Sequence, residues 1–150
     1  MKLVLPKKIS WSFLILFFIF DNVVSYIAVT RMRGKEADLL IAFAVEKYPL
    51  LYFVLIPVQT VIVYFIIIGL TKLAVRVFKK FDIEEGIFEK IILTAAVIFW
   101  PIANSFMNLM FILGRRLTIP AWYGLIVAGA VTASAYFYAA AKFLSKRRSR

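Results

Sequence analysis

Hydrophobic positions along this chain fall into four long runs, at about 9–30, 50–70, 91–113 and 122–144, with short charged stretches between them. A helix needs about 20 predominantly apolar residues to cross the hydrocarbon core of a bilayer, so each run predicts one membrane-spanning α-helix. The pattern therefore predicts an all-α, polytopic membrane protein of four spans forming a single domain over residues 1–150. The first run is too long, and too polar in its second half, for a cleaved signal peptide, and it lacks a small-residue cleavage site. The second continues past Leu70 through Thr71 to Phe78 as a basic helical extension, whose Lys72 and Arg76 can snorkel to the headgroups.

The connections differ in kind. After the first span, Ala37 to Lys47 carries apolar residues at 39, 40 and 43, a spacing that suits a short amphipathic helix on or re-entering the membrane surface, ended by Pro49. Lys79 to Gly86 forms a compact charged loop. Its Asp82, Glu84 and Glu85 lie near the start of the third helix, where the helix dipole favours negative charge. Gly114 to Pro120 reads as a tight turn. No linker separates two domains, and no repeat or low-complexity tract is present.

Composition narrows the chemistry. Hydrophobic residues make up 63% of the chain, against roughly 45–50% in soluble domains, so the solvent of this protein is lipid. The absence of cysteine excludes disulfides, thiol catalysis and thiolate metal sites. The absence of histidine removes haem and copper ligation by imidazole, most zinc sites and most general-base schemes, so no cofactor and no metal site is expected. A net charge of +11 invites a nucleic-acid reading, but the positive residues sit at the ends of the apolar runs, where they meet lipid phosphates. The tail Lys142, Lys146, Arg147, Arg148 and Arg150 is the densest cluster and is assigned to topology and headgroup contact. Thirteen Lys and Arg residues fall on the side of the two termini and six on the other, so the positive-inside rule places both termini in the cytoplasm of a multi-pass protein of the cell membrane.

That orientation allows a comparison of depths. With Thr30, Leu50 and Leu113 as outer ends, Asp21, Gln59 and Asn104 each lie nine residues inward, roughly 13–14 Å at 1.5 Å per residue, near the midplane. Asn22 adds an amide beside Asp21. Ser25 and Asn108 lie one turn further out, on the faces of Asp21 and Asn104. Pro57 and Pro101 add backbone carbonyls, those of Phe53 and Val97, freed from the helical ladder, and each favours a kink. A charged side chain at this depth costs about 2.5–3.5 kcal/mol on insertion scales, so it is expected to face protein or water. Three readings stay open: a helix-packing network, a polar cleft opening outward that binds a cation, a proton or a lipid headgroup, or a protonated Asp21 that faces lipid. Glu46, at the outer interface, either pairs with Lys47 or faces water, or else gates or lines the mouth above Asp21.

The fourth span looks structural, since its residues at the same depth are Val131 and Thr132. Gly124, Ala128 and Thr132 form one small-residue ridge and Gly129 with Ala133 another, allowing close approach to a helix of the same chain or of a second copy. Tyr48, Tyr52, Trp122 and Tyr123 fit an outer aromatic belt.

The order of Asp21, Ser25, Gly34, Glu46-Lys47-Tyr48-Pro49 and Asn104 or Asn108 resembles a family of small prokaryotic membrane proteins of unknown function. In that family an Asp is followed four residues later by Thr, then by a loop Gly, a Glu-x-Asn-Pro element before the second span, and an Asn in a later span. Ser25 stands where the pattern has Thr, and Tyr48 where it has Asn. The resemblance runs from the first span to the third and implies the same choice of site residues, without naming an activity.

Function is thus expected to be non-enzymatic, of an accessory or small-ligand- or lipid-binding kind, built around Asp21, Gln59, Asn104 and Asn108. Its partners are membrane lipids, with self-association or docking into a larger assembly left open and nucleic acid excluded. The alternative is a small cation- or proton-coupled transporter or channel that titrates Asp21. A third is a lipid-modifying enzyme using Asp21 and Glu46, against which stands the lack of any phosphate or metal motif.

Overall fold

The computed structural model describes residues 4–31, 47–78, 83–114 and 119–148. Helix α1 covers Lys7–Arg31 and α2 covers Leu51–Val77. The third span is composite: α3 (Glu85–Trp100), a π-helical turn (Pro101–Ser105) and α4 (Phe106–Ile112). The last helix, α5, covers Ile119–Arg148. Among the described residues there is no strand, and four helical stretches are long and apolar enough to cross a membrane. The surface helix expected over Ala37 to Lys47, with Gly34 and Glu46, lies almost wholly outside the described residues.

The helix ends follow local chemistry. The extension beyond Leu70 is helical, and α2 runs unbroken through Pro57 to Val77. The third span starts at Glu85, six residues before the apolar run, because polar residues occupy its first turns; Glu84 is extended, and its carbonyl accepts the N–H groups of Ile87 and Phe88. At the far end, Gly114 adopts a left-handed φ of 72°, a conformation that costs a Cβ-bearing residue but not glycine, and the helix stops there.

Helix α3 is central, packing on α1, α2 and α5, and α1 packs also on α2. Lys7 pairs with Glu89, and Asp21 with Asn104, at sequence separations of 82 and 83 residues, so α1 and the third span run parallel and in register. The apolar core lies in the first halves of these two helices: Leu14 and Phe18 meet Phe88, Ile92 and Leu93, with Ile67 from α2 and Ala141 from α5. Trp100 closes this layer, its ring edge-on to Phe18 with centroids 4.7 Å apart. Thr94 ties three elements together below it. Its hydroxyl oxygen accepts the N–H of Leu5 at 3.1 Å, its O–H donates to the Lys90 carbonyl, and the same hydroxyl hydrogen-bonds Tyr136 of α5. The Lys7–Glu89 pair is part-exposed and contributes at most about 1 kcal/mol.

Of the two glycines on α5, Gly129 is the one packed within the chain. A Cβ there would stand 3.1 Å from the Phe99 ring and 3.4 Å from the Phe99 carbonyl, whereas one at Gly124 would meet nothing within 4 Å. Gly124, Ala128 and Thr132 face outward, and the Thr132 hydroxyl donates to the Ala128 carbonyl at 2.8 Å. Gly129→Leu is therefore expected to lower stability by about 1–3 kcal/mol through overpacking. Gly124→Leu should change it by about 0.5 kcal/mol or less. Thermal melting of the two variants in mild detergent checks the contrast.

Candidate functional site

The first turns beyond the apolar layer carry the polar side chains. Asp21 of α1 is 4% exposed, and both of its carboxylate oxygens are engaged. Oδ2 accepts the indole N–H of Trp100 at 2.6 Å and the amide N–H of Asn104 at 2.7 Å. Oδ1 accepts the amide N–H of Asn108 at 3.0 Å. All three donors come from the third span, and all are electrically neutral. A buried carboxylate otherwise carries a desolvation penalty of several kcal/mol, and hydrogen bonds to it are the partial remedy the protein supplies.

The backbone explains how one helix delivers three donors to one carboxylate. In an α-helix, residues four apart differ by about 40° around the axis, so positions 100, 104 and 108 would spread over about 80°. Pro101 has no N–H, so the α ladder already lacks its bond to the Val97 carbonyl at this point. The chain takes a π turn there, with the Phe106 N–H reaching the Pro101 carbonyl. A wider i→i+5 turn advances less per residue, which brings Trp100 and Asn104 closer to one line facing Oδ2.

Asn22, next in the chain and about 100° further around α1, points to a different neighbour. It is 3% exposed, and its amide N–H donates to the Phe18 carbonyl at 2.7 Å and to Gln59 Oε1 of α2 at 2.8 Å. Adjacent residues of α1 thus bind it to both neighbouring spans. If this link matters, a double-mutant cycle of Asn22→Ala and Gln59→Ala, read by melting in detergent, should return a coupling of about 0.5–1.5 kcal/mol. A coupling near zero would mean that the bond is replaced by other partners.

The structure brings together Asp21, Asn104 and Asn108, and joins Asn22 to Gln59 beside them. Ser25 lies one turn outward, half-buried, outside these hydrogen bonds. Glu46 and Arg150 lie outside the described residues, and Lys146, Arg147 and Arg148 close α5. Trp100 is the participant that the sequence reading passed over. Its signal is depth: tryptophan belongs at the membrane interfaces, yet this one sits mid-span, four residues before Asn104. No group of three or more histidine, cysteine or acidic residues placed to hold a metal occurs among the described residues.

The fold and its polar layer define an all-α helical bundle with four candidate membrane spans. The chain matches no protein-family model, no curated protein and no solved structure.

Proposed function

We propose that this is a non-enzymatic, small-ligand-binding membrane protein that takes up a proton or a cation at Asp21. One observation carries the reading: a carboxyl group 4% exposed, inside a candidate membrane span, whose hydrogen-bond partners among the described residues are all uncharged. Ionisable residues at this depth are commonly paired with one another, and a carboxylate left with neutral donors still bears a full charge that hydrogen bonds spread but do not cancel. No cationic side chain among the described residues bonds it, and in this reading the ligand supplies the counter-charge. With both termini taken to be cytoplasmic, as the positive-inside rule expects, the half-buried Asn108 and Ser25 lie on the outer side of Asp21 and Asn104. The layer of Leu14, Phe18, Ile92 and Leu93 lies on the inner side. That asymmetry favours binding from one face over passage between two. The resemblance to small prokaryotic membrane proteins implies Asp21, Ser25 and Asn104 or Asn108 as site residues and names no activity.

Asp21→Asn keeps the shape and one oxygen while removing the charge. Wild-type protein in detergent is expected to melt at temperatures that depend on pH or on the cation supplied, and the variant is expected to be insensitive to both. Equal insensitivity of the two proteins would leave a packing network as the role of the layer.

A further inference from the structure

Resting on that reading, we infer that the ligand is an alkali metal ion, held by Asp21 together with the side-chain oxygens of Asn104 and Asn108 after both amides reverse. Asn104 reaches Oδ2 and Asn108 reaches Oδ1, so the two amides flank the two oxygens of one carboxylate, one helical turn apart. Each amide carries a donor and an acceptor at nearly the same distance from its Cβ, and half a turn about the terminal bond exchanges them. In the arrangement observed, the amide N–H groups satisfy the carboxylate. In the reversed arrangement each amide turns its oxygen toward the carboxylate oxygen its N–H now bonds, which makes available a four-oxygen set suited to a hard cation.

The geometry needs little adjustment. Two oxygens at right angles about an ion with metal–oxygen distances of about 2.4 Å stand about 3.4 Å apart. The amide nitrogens now stand 2.7 and 3.0 Å from the carboxylate oxygens. The required displacement is thus about half an ångström, within reach of side-chain rotation. Trp100 has only a donor, so it stays on Oδ2 in both states and fixes the carboxylate plane while the amides turn. Charge selects the ion: one carboxylate and two neutral amides balance a single positive charge, whereas a divalent ion would leave one uncompensated in the membrane.

The chain has three asparagines, Asn22, Asn104 and Asn108, so labelling asparagine with carbon-13 at the side-chain carbonyl gives a small, assignable set of infrared bands. The experiment records difference spectra of the unaltered protein in detergent, exchanging choline chloride for sodium, potassium, calcium or magnesium chloride at fixed pH and then changing pH in choline alone. The expected result is that sodium or potassium moves two of the three labelled carbonyl bands. The third, Asn22, which is bonded to Gln59, should stay still, and the whole response should vanish in Asp21→Asn. Carboxyl bands that respond to pH with no amide response to either metal ion would overturn the inference and leave a proton as the ligand of the proposed function. A response to calcium or magnesium alone would overturn the charge argument. No response to any ion or to pH would defeat both the inference and the function it rests on.

Discussion

Asp21→Ala is expected to lower stability by about 3 kcal/mol. The substitution removes the acceptor of three donors at once, from Trp100, Asn104 and Asn108. A buried donor left unpaired costs about 1–3 kcal/mol. Interhelical hydrogen bonds measured within membranes average nearer 0.6 kcal/mol, because the reference state also finds partners. Three bonds at about 1 kcal/mol each sit between these limits. The loss should appear as weaker association of α1 with the third span, since none of the three donors has another described acceptor on α1. Equilibrium unfolding in detergent measures it. A loss below about 1 kcal/mol would mean that the amides rotate to partner each other and that Asp21 contributes little to holding the helices.

Trp100 separates hydrogen bonding from packing. Trp100→Phe keeps an aromatic ring beside Phe18, where the centroids now stand 4.7 Å apart, and removes only the indole N–H to Asp21. A hydrogen bond to a charged acceptor contributes about 1.5–3 kcal/mol in soluble proteins, so a cost of about 1–2 kcal/mol is expected for this variant. Trp100→Ala also opens a cavity at the top of the apolar layer and should cost about 3–5 kcal/mol. The same unfolding measurement decides the split. Equal losses in both variants would assign the whole effect to the indole N–H and none to packing.

Much of this arrangement was legible in the chain, for identifiable reasons. The four spans follow from run length alone, because a bilayer imposes a fixed thickness and an intolerance of unpaired backbone. The convergence of Asp21, Asn104 and Gln59 on one layer follows from counting inward from the span ends. Helical rise is uniform enough that nine residues mark the same depth on each span. Azimuth is harder to read than depth. Depth alone puts Gln59 level with Asp21, and it is Asn22 that Gln59 bonds, because which face of α2 turns toward α1 depends on packing between helices. The π turn was not read either. Pro101 signalled a freed Val97 carbonyl and a kink, yet whether such a gap becomes a kink or a wider turn is decided by what the next residues gain. Here Asn104 and Asn108 gain the carboxylate of Asp21. The two ridges of α5 looked alike in sequence, and only the approach of Phe99 distinguishes Gly129 from Gly124.

The central claim is that Asp21 binds a positively charged ligand, and Trp100 offers the most direct view of it, because its indole N–H lies on the carboxylate. Trp11→Phe and Trp122→Phe would leave Trp100 as the one tryptophan of the chain. Its emission can then be followed while sodium, potassium or protons are titrated into detergent-solubilised protein. The predicted result is a saturable spectral shift that disappears when Asp21→Asn is added to the same background. A spectrum unchanged by every ion and by pH, or a shift that persists in the Asp21→Asn protein, would contradict it.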